Sequence, residues 1–219
     1  MLHTVAALAG AFVGSFVVAF SGAMMPGPLL TVTIAETGRR GASAGPLLIV
    51  GHSVLELAML AALLLGLGPF LRLQWTTVAL GLAGGAVLTW MAIGIFRVLP
   101  SLRIEAAGPA EPSRPGRHPV VMGVLMSLAN PYWTLWWATI GLGYLTIARQ
   151  LGLAGVVAFY VGHILGDFVW YTAVSWSFAH GRRFLSDLVY RWIMAICGVA
   201  LAGFAVWFAW HAATVLRGT

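Results

Sequence analysis

Six apolar runs dominate the hydropathy pattern, near residues 5–35, 44–66, 74–96, 119–147, 151–178 and 189–213. Each reaches the roughly 20 residues that a helix needs to cross a hydrocarbon core. Polar or proline-rich linkers separate them at 36–43, 68–74, 97–118, 147–150 and 179–190. The first and fourth runs are over-long and carry proline inside. Pro26-Gly27-Pro28 interrupts the first, and Asn130-Pro131 interrupts the fourth. Proline removes a backbone donor and crowds the preceding turn, so neither run continues as a regular helix. At membrane depth such a break is tolerated only against protein or a water-filled cavity.

The runs repeat in order. The second holds Val50-Gly51-His52-x-x-x-Glu56, and the fifth holds Val161-Gly162-His163-x-x-x-Asp167. Each half thus reads as broken span, Val-Gly-His-x-x-x-acid span, plain span. Three spans per half is an odd number, so the second copy inserts upside down. The pattern predicts an all-α integral membrane protein of six transmembrane helices in a 3+3 inverted-topology repeat, with helices one and four broken. The expected boundaries are 1–98 for the first repeat, 99–118 for a cytoplasmic linker and 119–219 for the second repeat. Pro100, Pro109, Pro112, Pro115 and Pro119 mark that linker as a hinge. Gly10/Gly14, Gly81/Gly85 and Gly162/Gly166 form small-xxx-small faces, read as helix packing.

Composition supports the membrane reading. Of 219 residues, 60% are hydrophobic and 8% charged, and the mean hydropathy is +0.93. Soluble domains carry about a quarter charged residues. The net charge of +6 comes from arginine alone, since there is no lysine. Nucleic acid is not the expected partner; the arginines sit in short loops, where they suit the lipid surface. Arg39, Arg40, Arg97, Arg103, Arg114, Arg117, Arg182, Arg183 and Arg191 fall in the odd linkers, against Arg72, Arg149 and Arg217 elsewhere. That bias puts the odd linkers in the cytoplasm and both termini outside. Cys197 is the single cysteine, which excludes an intrachain disulfide, a Cys-x-x-Cys redox pair and a thiolate metal cage. The first run has no Lys or Arg before it and exceeds a signal-peptide core, so a retained span is expected.

The candidate chemistry lies at the breaks and the histidine–acid pairs. A half-helix restarting at Pro28 presents amides from about Leu29 to Thr31 at its positive end. With Pro26, Gly27 and the hydroxyl of Thr31 or Thr33, these suit a carboxylate. Asn130 can cap the half-helix restarting at Pro131 or offer its amide to a cavity. Four-residue spacing sets His52 over Glu56 and His163 over Asp167 on one helix face. A carboxylate is costly in hydrocarbon and faces the bundle interior or water. These four residues are candidates for proton coupling or for a substrate ammonium, with a self-satisfied packing pair as the plain alternative. Two histidines and two acids also form a conceivable divalent-metal set. Tyr132, Trp133, Trp136 and Trp137 follow the second break, too deep for an interfacial belt. Trp133 and Trp137 are candidates to hold an ammonium through their ring faces. Trp75, Trp192, Trp207 and Trp210 fit the belt. Glu36 beside Arg39 and Arg40 reads as a surface ion pair. No Gly-x-Ser-x-Gly elbow or His-Glu-x-x-His helix is present, so a hydrolase is not expected.

Gly22-Ala-Met-Met-Pro26-Gly27-Pro28, Thr37-Gly38-Arg39-Arg40-Gly41, the segment from Gly123 to Asn130-Pro131, and Leu165-Gly166-Asp167 resemble the LysE/RhtB superfamily of amino-acid exporters. The resemblance covers nearly the whole chain in order. It implies a small six-span exporter in a bacterial inner membrane, driven by the membrane gradient. Tyr132 departs from the lysine usual after the second Asn-Pro, and His52 and His163 are not general family features. The resulting expectation is export of a small zwitterionic metabolite, an amino acid or derivative, by proton antiport. The partners expected are that small molecule, the lipid bilayer and a second copy of the chain. No cofactor is expected. The alternative is a divalent metal-cation exporter using the His-x-x-x-acid pairs.

Overall fold

A computed structural model describes residues 2–71, 73–102, 117–181 and 186–217. Arg72, Arg103, Arg114, Arg182, Arg183, Pro109, Pro112 and Pro115 lie outside the described residues, so most of the expected hinge and part of the arginine count do too.

Among the described residues the chain is helical, with no strand. Helix α1 (Leu2–Ala23) ends before the Pro-Gly-Pro break, and α2 (Pro28–Arg40) restarts after it. A 3₁₀ turn, Gly41–Ser43, leads into α3 (Ala44–Leu64). Short α4 (Gly68–Leu71) precedes α5 (Gln74–Val98). The fourth run divides into α6 (Pro119–Leu128), α7 (Pro131–Trp136), a π-helical turn Trp137–Gly141, and α8 (Leu142–Arg149). Two long helices, α9 (Gly152–Gly181) and α10 (Asp187–Arg217), complete the chain.

Among the described residues five helical stretches are long and apolar enough to cross a bilayer: His3–Ala23, Pro28–Leu64, Gln74–Ser101, Gly152–Gly181 and Asp187–Arg217. The sequence pattern predicts six. The difference lies in the fourth run, where Asn130-Pro131 separates α6 from the helical stretch 131–149, itself divided by the π-turn into α7 and α8. Pro119–Leu128 is its longest apolar helix. The first run also differs from a single broken span. Its α1 is about 33 Å long by itself, at 1.5 Å per residue. Its second piece, α2, is continuous with α3 through the 3₁₀ turn.

The helices pack most extensively as α5 with α10, α1 with α9, and α3 with α6. Three apolar clusters result. Leu88, Met194, Leu201 and Phe208 fill the α5–α10 seam. Trp133, Trp136, Trp137, Leu145 and Phe159 pack with Leu60 and Leu63. Ala23, Leu29, Leu48, Ile49 and Tyr171 surround the start of α2.

Backbone proximity at glycine sets these seams. A Cβ on Gly51 collides with the carbonyl of Val120 on α6, and one on Gly123 collides with that of Leu48 on α3. A Cβ on Gly162 collides with Phe12 O and Ser15 Oγ on α1, and Gly166 abuts Phe16 and Ala19. Gly81 and Gly85 lie against α10 at Phe208, Ala212 and Ala205. The packing reading of the Gly81/Gly85 and Gly162/Gly166 faces therefore has a partner for each. Gly10, by contrast, has nothing within 4 Å. Glu36 is paired with Arg39 (3.2 Å) and Arg40 (2.7 Å) at the end of α2.

Candidate functional site

The two breaks abut. Gly27 is the extended residue before α2, and Pro28 takes the first helical position, where its missing N–H costs nothing. Asn130 has the same place before α7, with Pro131 at the first position. The Asn130 Oδ1 accepts the Tyr132 N–H at 3.1 Å, which caps α7. The amide nitrogen of Asn130 lies 3.4 Å from where a Gly27 side chain would begin. Glycine leaves the room that the amide uses. Two further bonds tie α7 to the end of α1: the Tyr132 hydroxyl donates to Ser21 O (3.2 Å), and the Trp136 indole donates to Ser21 Oγ (3.0 Å).

At the start of α2, Thr31 turns inward on its own helix. Its N–H and its hydroxyl both donate to Gly27 O, each at 3.0 Å. Thr33 likewise donates to Leu29 O at 2.8 Å. These hydroxyls are engaged as helix back-bonds. The amides left without a helical carbonyl behind them are those of Leu29 and Leu30.

One turn away, the two histidine–acid pairs form a single four-membered box. His52 Nε2 lies 3.2 Å from Glu56 and 3.6 Å from Asp167. His163 Nε2 lies 3.2 Å from Glu56 and 3.5 Å from Asp167. The cross-pairs between α3 and α9 are as close as the pairs within each helix. Exposure is 1% for Glu56, 3% for Asp167, 3% for His163 and 7% for His52.

Neighbouring donors fix the box. The indoles of Trp133 and Trp137 both donate to Glu56 Oε1, at 3.0 and 2.9 Å. The π-turn begins at Trp137, directly after α7, and both indoles reach one carboxylate oxygen. Ser127 donates to Gly123 O at 2.7 Å, and its oxygen lies 2.7 Å from His52 Nδ1. With the serine proton on the carbonyl, His52 donates through Nδ1, and Nε2 is the atom facing the carboxylates. Trp136 lies over the His163 ring at 4.6 Å, with Trp137 and Phe159 at 5.7 and 6.2 Å. Glu56 Oε2 and Asp167 Oδ2 are buried and face the histidine Nε2 atoms at 3.2–3.6 Å without a well-formed hydrogen bond. One ligand atom each from His52, Glu56 and Asp167 lies within 4.8 Å of the others, so these three could hold a metal ion.

A cavity of about 40 Å³ joins breaks and box. At 10–15 Å³ per water centre it holds about three waters, less room than an amino acid needs. All four box residues line it, as do Gly27, Leu29, Asn130 and Trp133. Pro26, Pro28, Thr31, Pro131 and Trp137 do not. Pro131 is set against Gly84 of α5 instead. Sequence reasoning passed over Ser127, Met25 and Tyr171, which also line the cavity. Ser127 was within reach, since it follows Gly123 by four residues on the face leading to Asn130.

Bilayer-length apolar helices enclosing a polar cavity define a multi-pass membrane protein. The LysE type translocator model matches residues 20–212, and the chain belongs to that family. It is accordingly a membrane translocator. It is similar to the chemotactic transduction protein ChpE of Pseudomonas aeruginosa, at 29% identity over 89% of this chain and 95% of that protein. No solved structure matches it.

Proposed function

We propose that the protein exports a small zwitterionic metabolite, an amino acid or derivative, across a bacterial inner membrane by alternating access. The observation that carries this reading is the meeting of two proline-broken helices beside a buried His–acid box, all opening on one cavity. The Leu29 and Leu30 amides and the Asn130 amide take the carboxylate. Glu56 and Asp167 take the ammonium, and Trp133 and Trp137 hold Glu56 in place. The cavity must widen to admit cargo, and movement at the two breaks accomplishes this.

In the six-crossing version of this reading, α6, α7, the π-turn and α8 together make the fourth crossing. Repeats 1–98 and 119–219 are then joined by a cytoplasmic 99–118, with both termini outside. The reciprocal packing supports it. Gly51 of the first half rests on the backbone of α6, and Gly162 of the second rests on that of α1. An inverted repeat requires such an exchange of partners.

Proton antiport through Glu56 and Asp167, with His52 and His163 as exchange partners, is the coupling. Proteoliposomes under an imposed pH gradient test it. Glu56→Gln and Asp167→Asn each lose gradient-driven export in this reading, while downhill exchange is weakened but measurable, since the other carboxylate still meets the ammonium. Full gradient-driven export by both variants removes the assignment. A second reading, export of a divalent metal cation, draws on the His52, Glu56 and Asp167 set. Protection of metal-sensitive cells that is lost on His52→Ala favours it.

Asn130 gives a separate test. Asn130→Asp keeps the oxygen that caps α7 and removes the amide donor facing Gly27. The thermal midpoint is expected to stay within about 2 °C, as caps of equal rank exchange at little cost. Binding of a carboxylate-bearing cargo is expected to fall about tenfold or more, because an anion replaces a donor. Unchanged affinity in a binding titration counts against a carboxylate at the second break.

A further inference from the structure

We infer that the cargo carries an uncharged, apolar side chain, and that basic and acidic amino acids are rejected. This rests on the export reading above and narrows it. The argument is a count of polar partners around the cavity. Its lining contains two carboxylates, Glu56 and Asp167, two histidines already set against them at 3.2–3.6 Å, and no arginine. One ammonium bridging Glu56 Oε2 and Asp167 Oδ2, which otherwise face only histidine Nε2 atoms at 3.2–3.6 Å, engages both carboxylates. After that the box has nothing left for a second cation. Elsewhere among the described residues, Glu36 is paired with Arg39 and Arg40, and Asp187 also has a partner.

The wall on the α1 side is Ala19, Gly22, Ala23 and Met25, with the rings of Trp136, Tyr132 and Tyr171 beside it and no charged group among them. The Trp136 indole and the Tyr132 hydroxyl both bond Ser21, and the Tyr171 hydroxyl is uncharged. A lysine ammonium or a glutamate carboxylate placed against this wall is stripped of water and meets no counter-charge. A buried charge without a partner is strongly unfavourable. An aliphatic side chain meets methyl, methylene and ring surface and gains from leaving water.

The test uses the full chain in detergent and in proteoliposomes, with L-leucine, L-lysine, L-glutamate and isoamylamine as probes. Thermal-shift titration gives binding, and competition against labelled leucine counterflow gives transport. Leucine is expected to bind and exchange, with lysine and glutamate about 100-fold weaker, as an unpaired buried charge implies. Met25→Glu puts a carboxylate on the apolar wall and is expected to raise lysine relative to leucine by about tenfold or more. A monodisperse size-exclusion profile reports that the variant is folded. Lysine or glutamate competing as well as leucine in the native protein overturns the side-chain inference and leaves amino-acid export standing. Binding of isoamylamine with none of the three amino acids overturns both, since the carboxylate seat is then unused. Binding of no probe by folded protein likewise overturns both.

Discussion

Glu56→Ala is expected to prevent recovery of stable protein, whereas Glu56→Gln is expected to fold. In the native chain the Glu56 carboxylate accepts from the Trp133 and Trp137 indoles and faces both histidines. Alanine removes every one of these acceptors from a site with room for only a few waters. Each orphaned buried donor costs about 1–3 kcal/mol. Breaking a buried ionic contact by removing one member costs about 3–5 kcal/mol. Either figure is a large share of a typical folding free energy of about 5–15 kcal/mol. Glutamine keeps an oxygen for the two indoles. Its amide nitrogen replaces Oε2, which lies 3.2 Å from His163 Nε2. His163 must then present a lone pair there and carry its proton on Nδ1, which is buried without a partner. Glutamine therefore costs about one unsatisfied donor, roughly 1–3 kcal/mol. Fluorescence-detected size exclusion after a heating series measures both. Equal loss in the two variants shows that the indole bonds are not what Glu56 contributes.

The same residue explains a limit of sequence reading. His52 over Glu56 and His163 over Asp167 are local pairs that four-residue spacing makes visible. Their union into one box depends on α3 and α9 crossing at that height, which no local pattern encodes. The Trp133–Trp137 cluster was recognisable as misplaced for an interfacial belt. Its use as a pair of indole donors to Glu56 was not, because ring faces and N–H edges are indistinguishable in sequence. Thr31 and Thr33 illustrate the reverse. Back-bonding to the preceding turn is the usual habit of helical threonine, so their engagement was foreseeable from position alone.

The breaks were legible because proline and glycine announce them. The π-turn was not. The offset between His52 and His163 carries residues 26–28 onto 137–139, which open the π-turn rather than the Asn130-Pro131 break. In the register of the proposed repeat, the position of Pro26-Gly27-Pro28 is taken by Trp137-Ala138-Thr139 of the π-turn. That composition gives no helix-breaking signal. Asn130-Pro131 comes earlier in its run, where α6 must end to let Asn130 reach Gly27. The division of the fourth run into short helices follows from both interruptions.

Glycine at the two exchanged seams supplies the second large effect. Gly51→Ala and Gly162→Ala are each expected to abolish correct assembly, while Gly10→Ala is expected to be silent. At Gly51 the added methyl meets the Val120 carbonyl of α6, and at Gly162 it meets the Phe12 carbonyl of α1. Both obstacles are backbone and cannot rotate away, so the helices themselves must separate. Separation at α3–α6 pulls His52 from Ser127. Separation at α1–α9 loosens the end of α1 at Ser21, which anchors Tyr132 and Trp136 of α7. Overpacking of a tight core costs about 1–3 kcal/mol even where side chains can yield. Two backbones forced apart exceed that, and the seam in lipid relies on close packing with no hydrophobic drive to restore it. Gly10 has nothing within 4 Å and lies in the same helix as Phe12, so it controls for helix propensity in α1. The measurement is the yield and thermal midpoint of monodisperse protein for the three variants. If Gly51→Ala fails and Gly162→Ala is tolerated, the seams are not equivalent and the exchange of partners between halves loses its energetic basis. If both fail together, each half is held by the other's broken helix, and the cavity between the breaks exists only in the assembled pair.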